Sequence, residues 1–264
     1  MKSMKVKILQ WNIWYKENPD NILDVIRTID PDIFCLQELT INSKWTDYRD
    51  VPKYIAEKTG TYSSYYSAHT NKEGWSIGNG VFSKYPIMEL SNFFVQEGVA
   101  GSVDYSEEGR ICVEARIIFP DSNYLDVATT HLSYTHAFEM NPKKVLEVDN
   151  LLEFIKTKKN HFLLAGDLNL TPESFLIQQI WRYLWSCWPE FEQPTWTTKP
   201  FSYHWFEAAE CLWRLDYLFA TKDIRVLHSE IIDTEYSDHL PVLIEIELPD
   251  KLTAIEVNTK DIKI

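Results

Sequence analysis

Asp167 and Asn169 are two polar side chains, two residues apart, at the end of an apolar run. In residues 161–171, HFLLAGDLNLT, four apolar residues lead through Gly166 to this pair. An apolar run closed by glycine predicts a buried strand, and side chains two apart at its end can face the same way. A carboxylate and a carboxamide placed together can orient a water molecule and hold a phosphate oxygen. The alternative is a simple turn, because Asp and Asn are favoured turn residues.

Other predicted strands carry groups of the same kind at or beside their ends. These groups are Asn12, Glu38, His131, Asp216, Asp238 and His239. Carboxylates and amides without a cysteine make a hard, oxygen-rich site that suits Mg²⁺ or Mn²⁺ better than zinc. Two histidines beside such an ion can donate protons to a phosphate oxygen or activate water. A cation, a positioned water and donors to the phosphate oxygens are the parts that phosphoester hydrolysis needs.

Each of these residues also has a structural interpretation when it is considered alone. Glu38 is then a charge at a strand end, and Asn12 is a cap. Asp216 is an ion-pair partner for Arg214, and His131 is a structural histidine. The catalytic interpretation therefore depends on whether the fold brings the groups together.

Strands and helices alternate along the chain in positions that can present these groups. Strands are predicted over residues 5–12, 33–37, 62–67, 80–83, 113–119, 124–130, 161–167, 215–220, 224–232 and 240–248. Helices are predicted over 20–29, 51–58, 141–160 and 172–181, the first capped by Asp20 and the third by Asn141. We see no composition break or linker, which predicts one domain over residues 1–250 and a tail over 251–264.

Composition limits the partners and the compartment. A net charge of −13 disfavours loose binding to nucleic acid, although a local basic rim or bound divalent ions can reverse the sign at a site. The four cysteines lie far apart, and Cys35 and Cys112 are predicted to be reduced core thiols. The sequence has no apolar run near the ~20 residues of a membrane span and no signal-peptide layout, so we expect a cytoplasmic protein without stable membrane insertion. Nothing in the sequence implies a protein partner.

Tryptophan is concentrated in one segment. Six of the ten tryptophans fall between Trp181 and Trp213. One interpretation is packing beneath a long loop, and the other is an exposed rim on which a base, a lipid or a sugar stacks.

Seven segments, in order, resemble the motifs of the endonuclease/exonuclease/phosphatase superfamily, whose fold is named after pancreatic deoxyribonuclease. They are QWN with Asn12, LQE with Glu38, GNGVFSKYPI over residues 78–87, THL with His131, GDLN with Asp167 and Asn169, RLDYLF with Asp216, and SDHLPV with Asp238 and His239. The resemblance spans residues 5–248 and is nearest to compact prokaryotic metal-dependent hydrolases. It implies an α/β fold, a four-layer α/β sandwich with two central mixed, mainly antiparallel sheets flanked by helices.

The resemblance also implies roles for the site residues. Glu38 would be the principal metal ligand, with Asn12 and Asp238 completing or supporting the site. Asp167 and Asn169 would orient or deprotonate the attacking water and hold the phosphate.

The remaining roles concern charge and proton transfer at the phosphate. His239, buttressed by Asp216, would contact the phosphate and share in proton transfer, and His131 would stabilise the opposite side of the phosphoryl group. Arg110, in EGRICVEA, resembles a substrate-binding arginine near the site, with a surface ion pair as its alternative. Abasic-site endonucleases of the superfamily usually have a tyrosine-based arrangement where His131 stands, which disfavours abasic-site repair. A carboxylate often pairs with this histidine, and Glu73 is a candidate.

The function that the resemblance implies is Mg²⁺-dependent hydrolysis of a phosphodiester by direct attack of water, with Mn²⁺ as a possible substitute. A nuclease acting on DNA or RNA is the leading expectation. The alternatives are a phospholipid hydrolase of the sphingomyelinase type, a small-molecule phosphodiesterase or phosphatase, and a non-catalytic binding module.

Overall fold

The computed structural model describes residues 4–99, 107–187 and 193–248. Their strands are β1 (Met4–Asn12), β2 (Ile33–Ile41), β3 (Tyr62–Thr70), β4 (Ser76–Ser83), β5 (Ile87–Gln96), β6 (Arg110–Ile118), β7 (Tyr124–His131), β8 (Phe162–Asp167), β9 (Trp185–Ser186), β10 (Phe201–Tyr203), β11 (Phe206–Ala208), β12 (Asp216–Ala220), β13 (Arg225–Ile231) and β14 (Val242–Leu248). Their α-helices are α1 (Pro19–Ile29), α2 (Val51–Thr59), α3 (Pro142–Ile155) and α4 (Phe175–Ile180).

Two six-stranded sheets form the centre of the molecule. The first has the strand order β13-β14-β1-β2-β4-β3 and the second has β5-β6-β7-β8-β12-β9. In each sheet one neighbouring pair is parallel, β1 with β2 and β7 with β8, and the other pairs are antiparallel. The expectation of two mixed, mainly antiparallel sheets is confirmed. Strands β10 and β11 form a separate hairpin.

Three apolar layers hold the sheets and helices together. Buried side chains such as Ile8 and Ile33 of the first sheet meet Val127 and Leu163 of the second sheet in the central layer. A second layer packs α1 and α2 against the first sheet. A third layer packs α3 and α4 against the second sheet. Helix, sheet, sheet and helix therefore follow one another, which confirms the four-layer α/β sandwich.

Predicted boundaries or caps of three helices differ from the structure. Helix α4 covers Phe175–Ile180 rather than residues 172–181, and Ser174 caps it. The side chain of Asn18, not that of Asp20, caps α1 by accepting a hydrogen bond from the Asp20 amide. Helix α3 ends at Ile155 rather than near residue 160, because the following residues KTKKN bring no apolar side chain to its buried face. Its buried face also contains a lysine and a glutamate, Lys144 and Glu147, which the apolar stripe did not predict.

The cysteines and helices bear on two further expectations. Cys35 and Cys112 are buried and free, as predicted for core thiols. Among the described residues, no helix has the length and apolar character needed to cross a bilayer. The cytoplasmic location and the domain limits stay predictions, and the tail over 251–264 lies outside the described residues.

Candidate active site

The topology brings the predicted site residues to one edge of the sandwich. Asn12, His131 and Asp167 are the last residues of β1, β7 and β8. Asp216 is the first residue of β12, which runs antiparallel to β8 and places Asp216 opposite Asp167. Strand ends that meet in this way put their side chains around a common space.

Glu38 reaches the same edge by a different route from the one predicted. Strand β2 does not end at Gln37 but continues to Ile41, with a break in its register against β4 between Leu36 and Leu39. Glu38 lies in this bulge with φ of 61°, in the left-handed region. A bulge re-aims a side chain that a regular strand would direct elsewhere. The prediction that Glu38 stands at a strand end is therefore wrong, although its side chain still joins the group.

His239 and Asp216 form a buried hydrogen-bonded pair. His239 Nδ1 lies 2.8 Å from Asp216 Oδ2, and His239 Nε2 lies 3.5 Å from Asp167 Oδ2. Burial by itself lowers the pKa of His239, but the carboxylates of Asp216 and Asp167 outweigh burial and hold that pKa well above its ordinary value. His239 is therefore a cationic donor at neutral pH. This pairing favours the catalytic interpretation of Asp216 over a simple ion pair with Arg214.

Gln10 and Gln37 form a hydrogen-bond network that reaches Asp216. Gln10 Nε2 donates to Gln37 Oε1 at 2.6 Å and to Asp216 Oδ1 at 3.2 Å, and Gln37 Nε2 donates to Thr129 Oγ1 at 2.8 Å. All of these side chains are buried between the sheets. The sequence signal for them is a single glutamine near the end of each of two apolar strand runs, KILQWN and FCLQE.

Asp167 Oδ2 is the point where the predicted groups meet. It accepts a hydrogen bond from Asn12 Nδ2 at 3.0 Å and lies 3.4 Å from His131 Nε2. The backbone amide of Asn169 donates to the other oxygen of Asp167 at 2.9 Å. Burial raises the pKa of Asp167 to about 6. This pKa is near the range that suits proton transfer at neutral pH.

His131 lies on the opposite side of Asp167 from His239. Its Nε2 is 3.2 Å from Asn169 Nδ2, whose amide group also donates to the Leu132 carbonyl at 3.0 Å. Burial, together with the charges of Arg110 and His239, holds the pKa of His131 well below its usual value. His131 is therefore a neutral ring, and the two histidines have different charges.

Glu38, Asn12 and Asp238 form the acidic side of the site. Asn12 Nδ2 donates to Glu38 Oε1 at 3.1 Å, and the Tyr15 amide donates to Glu38 Oε2 at 2.9 Å. Burial and then the charge of Asp238 raise the pKa of Glu38 to about 7. Asp238 Oδ2 accepts from Trp196 Nε1, whereas Asp238 Oδ1 is a buried atom without a hydrogen-bond partner.

This acidic side fits a divalent cation. An unsatisfied carboxylate oxygen facing a second, electrostatically strained carboxylate is costly unless a positive charge compensates it. Carboxylate and carboxamide oxygens are ligands of hard cations such as Mg²⁺ and Mn²⁺. A second group in the described part of the chain, Asp167, Asp216 and His239, also offers atoms within 4.8 Å of one another. His239 and Asp216 are already bonded to each other, which makes that group better suited to proton transfer than to metal binding.

Arg110 borders the site in a small cleft that Glu38 and His131 also line. Its guanidinium donates to Glu108 Oε2 at 3.0 Å, and the arginine is buried. The alternative of an ion pair thus holds, but it is not at the open surface: Arg110 is buried beside the site and its partner Glu108 is partly exposed. Glu73 lies exposed between β3 and β4, whereas the carboxylates within 4.0 Å of His131 are those of Asp167 and Glu38. The structure does not support Glu73 as the partner of His131.

Several supporting residues were not predicted. Trp11 Nε1 donates to the His239 carbonyl at 2.8 Å. Ser237 Oγ donates to the Asn12 carbonyl at 2.7 Å and accepts from the His239 amide. These bonds tie the loop before β14 to the end of β1. Ser237 belongs to the SDHLPV segment, so a signal for it was present, whereas Trp11 reads only as a core aromatic residue.

The tryptophan-rich segment is divided between packing and exposure. Trp196 is buried and contacts the rings of Phe138, Phe201 and Trp213. Trp205, at the tip of the β10–β11 hairpin, is 71% exposed. The packing interpretation thus holds for Trp196, whereas the exposure of Trp205 leaves stacking of a ligand a prediction, and Trp188 lies outside the described residues.

Comparison with solved structures shows the same fold in other proteins. An endonuclease/exonuclease/phosphatase from Beutenbergia cavernae DSM 12333 is 22% identical, with a TM-score of 0.66 over 92% of this chain and 72% of that chain. TDP2 from D. rerio, in complex with a single-strand DNA product, is 16% identical, with a TM-score of 0.66 over 92% and 98%. ANGEL2, a 2',3'-cyclic phosphatase, is 15% identical, with a TM-score of 0.68 over 93% and 96%. At these identities the likeness shows the fold alone.

The family follows from the sequence match. The model of the endonuclease/exonuclease/phosphatase family matches residues 9–239, which include the site residues described above. The chain therefore belongs to the endonuclease/exonuclease/phosphatase family and is a hydrolase of phosphoester bonds.

Proposed function

We propose that the protein is a Mg²⁺-dependent phosphodiesterase that cleaves its substrate by direct attack of water, and that this substrate is a nucleic acid. The observation that carries the proposal is the position of the Asn12 carboxamide. Its Nδ2 lies 3.1 Å from Glu38 Oε1 and 3.0 Å from Asp167 Oδ2, so one side chain joins the acidic side to the proton-transfer side. The two sides are then fixed relative to each other before a substrate binds.

Asp167 is the proposed base for the attacking water. Its carboxylate is buried, and one oxygen is held by the Asn169 amide, which leaves the other oxygen turned toward His131 and His239. A water bonded to this oxygen gives its proton to Asp167 as its oxygen bonds to phosphorus. The P–O ester bond on the opposite side breaks, and the leaving oxygen departs as an alkoxide that takes up a proton to become the alcohol product.

His239 and His131 are the proposed donors to the phosphate. The cationic ring of His239, held by Asp216, stabilises the charge that develops on a phosphoryl oxygen. The Asn169 amide and His131 bind the opposite side of the group. Arg110 is the proposed substrate-binding arginine next to them.

Glu38 and Asp238 are the proposed cation ligands. Asn12 supports this metal site, because its Nδ2 donates to Glu38 while its Oδ1 accepts the Trp14 amide at 3.1 Å. When bound, Mg²⁺ supplies charge neutralisation and polarisation of the phosphoryl group. The oxygen-only donor set supports Mg²⁺, and Mn²⁺ has the same preference for oxygen.

A nucleic-acid substrate is supported by an aromatic and basic patch beside Glu38, formed by Trp14, Tyr15, Lys16, Trp45 and Trp75. Lys16 Nζ lies 5.2–5.6 Å from the ring centres of Trp14, Tyr15 and Trp45. Tyr15 stacks on Trp75 with ring centres 6.0 Å apart, and Trp45 is 49% exposed. Rings of this kind stack on bases, and lysines bind phosphates. The patch thus supplies local positive charge within an acidic protein, and TDP2, which shares the fold, holds a single-strand DNA product.

The exposed hairpin favours a second candidate, a phospholipid or another small phosphodiester. Trp205 and Tyr203 are exposed on β10–β11, and the aromatic cluster behind them reaches Trp196, which contacts Asp238. Such a surface suits the apolar part of a lipid. ANGEL2, with the same fold, is a 2',3'-cyclic phosphatase, which supports a small phosphodiester as an alternative substrate.

The test is a panel of substrates under controlled metal conditions. Hydrolysis of bis-p-nitrophenyl phosphate, single-stranded and duplex DNA, RNA and sphingomyelin is measured with Mg²⁺, Mn²⁺ or EDTA. We expect cleavage of a nucleic acid that EDTA abolishes. Activity on sphingomyelin alone, or on the small diester alone, would replace the nuclease assignment with the second candidate. Activity that persists in EDTA would contradict the metal requirement.

A further inference from the structure

Helix α3 carries a buried ion pair that the proposed reaction does not use. Lys144 and Glu147, one turn apart, have almost no exposed surface, and Lys144 Nζ lies 3.8 Å from Glu147 Oε2. Lysine and glutamate are seldom fully buried, because removing their charges from water is costly. Burial lowers the pKa of Lys144 to about 8 even though Glu147 acts to raise it. The desolvation cost of this pair must therefore be offset by the groups that it contacts.

Besides contacting each other, Lys144 and Glu147 bind backbone groups of two loops. Lys144 Nζ donates to the carbonyl of Ser133 and, at 3.2 Å, to the carbonyl of Leu168. Glu147 accepts hydrogen bonds from the amide of Ser133, at 3.0 Å, and from its hydroxyl. The first turn of α3 therefore holds the loop after β7 and the loop after β8 at the same time.

These two loops carry the proposed catalytic groups. Leu168 lies between Asp167 and Asn169, and Ser133 lies two residues after His131. The loops are also joined directly, because the Leu132 amide donates to the Asp167 carbonyl at 3.0 Å. A displacement at Ser133 or Leu168 is thus transmitted through one or two residues of backbone to His131 and Asp167.

We propose that Lys144 and Glu147 are positioning residues that set the spacing between His131 and the Asp167–Asn169 pair. The inference rests on the proposed roles of His131, Asp167 and Asn169. An apolar pair of similar volume would fill the same space, but it would leave the Ser133 and Leu168 carbonyls without their buried donor. Packing would then survive while the loop geometry relaxes, and a misplacement of about 1 Å costs about 100-fold in rate.

The test compares variants of this pair with a second ion pair beyond the other end of α3. Lys158 Nζ lies 2.6 Å from Glu114 Oε1, with Glu114 buried in β6, so Lys158→Met removes an ion pair without touching either loop. For Lys144→Met we expect kcat on bis-p-nitrophenyl phosphate to fall at least 10-fold. KM and the Mg²⁺ concentration for half-maximal activity should stay within about threefold, because Lys144 and Glu147 bond the loops after β7 and β8 and not the residues of the acidic side. Lys158→Met should leave kcat within twofold.

A conservative pair of variants separates positioning from stability. Glu147→Gln keeps an acceptor for Ser133, whereas Glu147→Leu removes it. We expect the Gln variant to keep most of the wild-type kcat and the Leu variant to lose at least 10-fold, with both assayed well below their unfolding temperatures. If Lys144→Met does not fold, this comparison decides the question.

Two results would overturn the inference. The first is equal kcat for folded Glu147→Leu and Glu147→Gln, and the second is a folded Lys144→Met enzyme with wild-type kcat. Glu38→Ala, measured in parallel, distinguishes failure of the proposed function from failure of the positioning role. If Glu38→Ala keeps full activity, the proposed function fails. If only Glu38→Ala loses activity, the proposed function stands and the positioning role is removed.

Discussion

At the scale of single residues, the site depends on the Asp167 carboxylate, which lies close to nitrogen atoms of several other site residues. Asp167 Oδ2 is within 3.5 Å of nitrogen atoms from Asn12, His131 and His239, which come from three different strands or loops. Burial raises the pKa of Asp167, whereas the charge of His239 and the hydrogen bonds from Asn12 and Asn169 act to lower it, and these contacts leave the carboxylate little rotational freedom. This is the arrangement that a general base needs, because its oxygen must be in place before water attacks.

Replacing Glu38 should separate metal binding from folding. Glu38→Gln removes a charge that faces Asp238, so we expect the metal-free variant to be at least as stable as the wild type. Mg²⁺ should raise the unfolding temperature of the wild type by preferential binding to the folded state and should leave that of Glu38→Gln unchanged. Thermal unfolding with and without Mg²⁺, together with turnover, measures both effects. Full turnover in the variant would remove Glu38 from the site.

His239 should matter for rate far more than for folding. For His239→Ala we expect kcat to fall at least ~100-fold, because the cationic donor to the phosphate is lost. His228, an exposed histidine on β13, provides the matched control, and His228→Ala should keep wild-type kcat. A near-normal rate for His239→Ala would exclude the proposed role.

At the scale of elements, the sequence predicts those parts of the site that follow from regular structure. Asn12, His131 and Asp167 end strands whose apolar pattern is clear, so their places at strand ends could be predicted. Asn12 lies in the first sheet and the other two in the second, so only the packing of the two sheets brings the three together. Glu38 could not be placed in the same way, because a bulge breaks the two-residue period on which the prediction depends. Its membership of the site came from the LQE resemblance.

Buried polar residues mark the other limit of prediction. The apolar stripe of α3 predicted a helix, but it gave no indication that Lys144 and Glu147 face inward. Likewise, the sequence does not indicate whether the side chains of Gln10 and Gln37 face the core or the solvent. Their partners, the loops after β7 and β8 and Asp216, are distant in sequence, so only the folded structure shows why these polar groups are buried.

The buried lysine of α3 should give a measurable pH dependence of stability. The pKa of Lys144 is about 8 in the folded state, against 10.5 as its ordinary value. Between these values the folded chain has released a proton that the unfolded chain still binds, so the contribution of Lys144 to the unfolding free energy rises with pH. The difference between wild type and Lys144→Met should therefore grow by about 3 kcal/mol in favour of the wild type from pH 8 to pH 10.5.

Urea unfolding of both proteins across this range measures the difference, and other titrating groups cancel between them. A constant difference would show that Lys144 keeps an ordinary pKa in the folded protein.

At the scale of the whole molecule, the two sheets present the proposed catalytic groups between two aromatic surfaces. The patch around Lys16 lies on the side of Glu38, and the β10–β11 hairpin lies on the side of Asp238 and Trp196. With a net charge of −13, the molecule repels a polyanion over most of its surface. A nucleic-acid substrate must therefore be drawn in by local positive charge. Lys16 lies over three aromatic rings of the first surface, and Lys44 lies 5.4 Å from one of them, the ring of Trp45.

Lys16→Glu tests whether this local charge selects the substrate. Lys5→Glu is the matched control, because Lys5 is an exposed lysine at the opposite end of β1 and its replacement changes the net charge by the same amount. We expect Lys16→Glu to lower kcat/KM for single-stranded DNA or RNA about 10-fold and to weaken its dependence on salt, since each lost phosphate contact reduces the salt slope by about one. Hydrolysis of bis-p-nitrophenyl phosphate, which does not reach the patch, should be unchanged in both variants. Equal losses in the two variants would mean that net charge, not the patch, governs binding. An unchanged rate on every nucleic acid would instead favour a substrate that binds at the β10–β11 hairpin. Trp205→Ala would then test whether this substrate is a lipid.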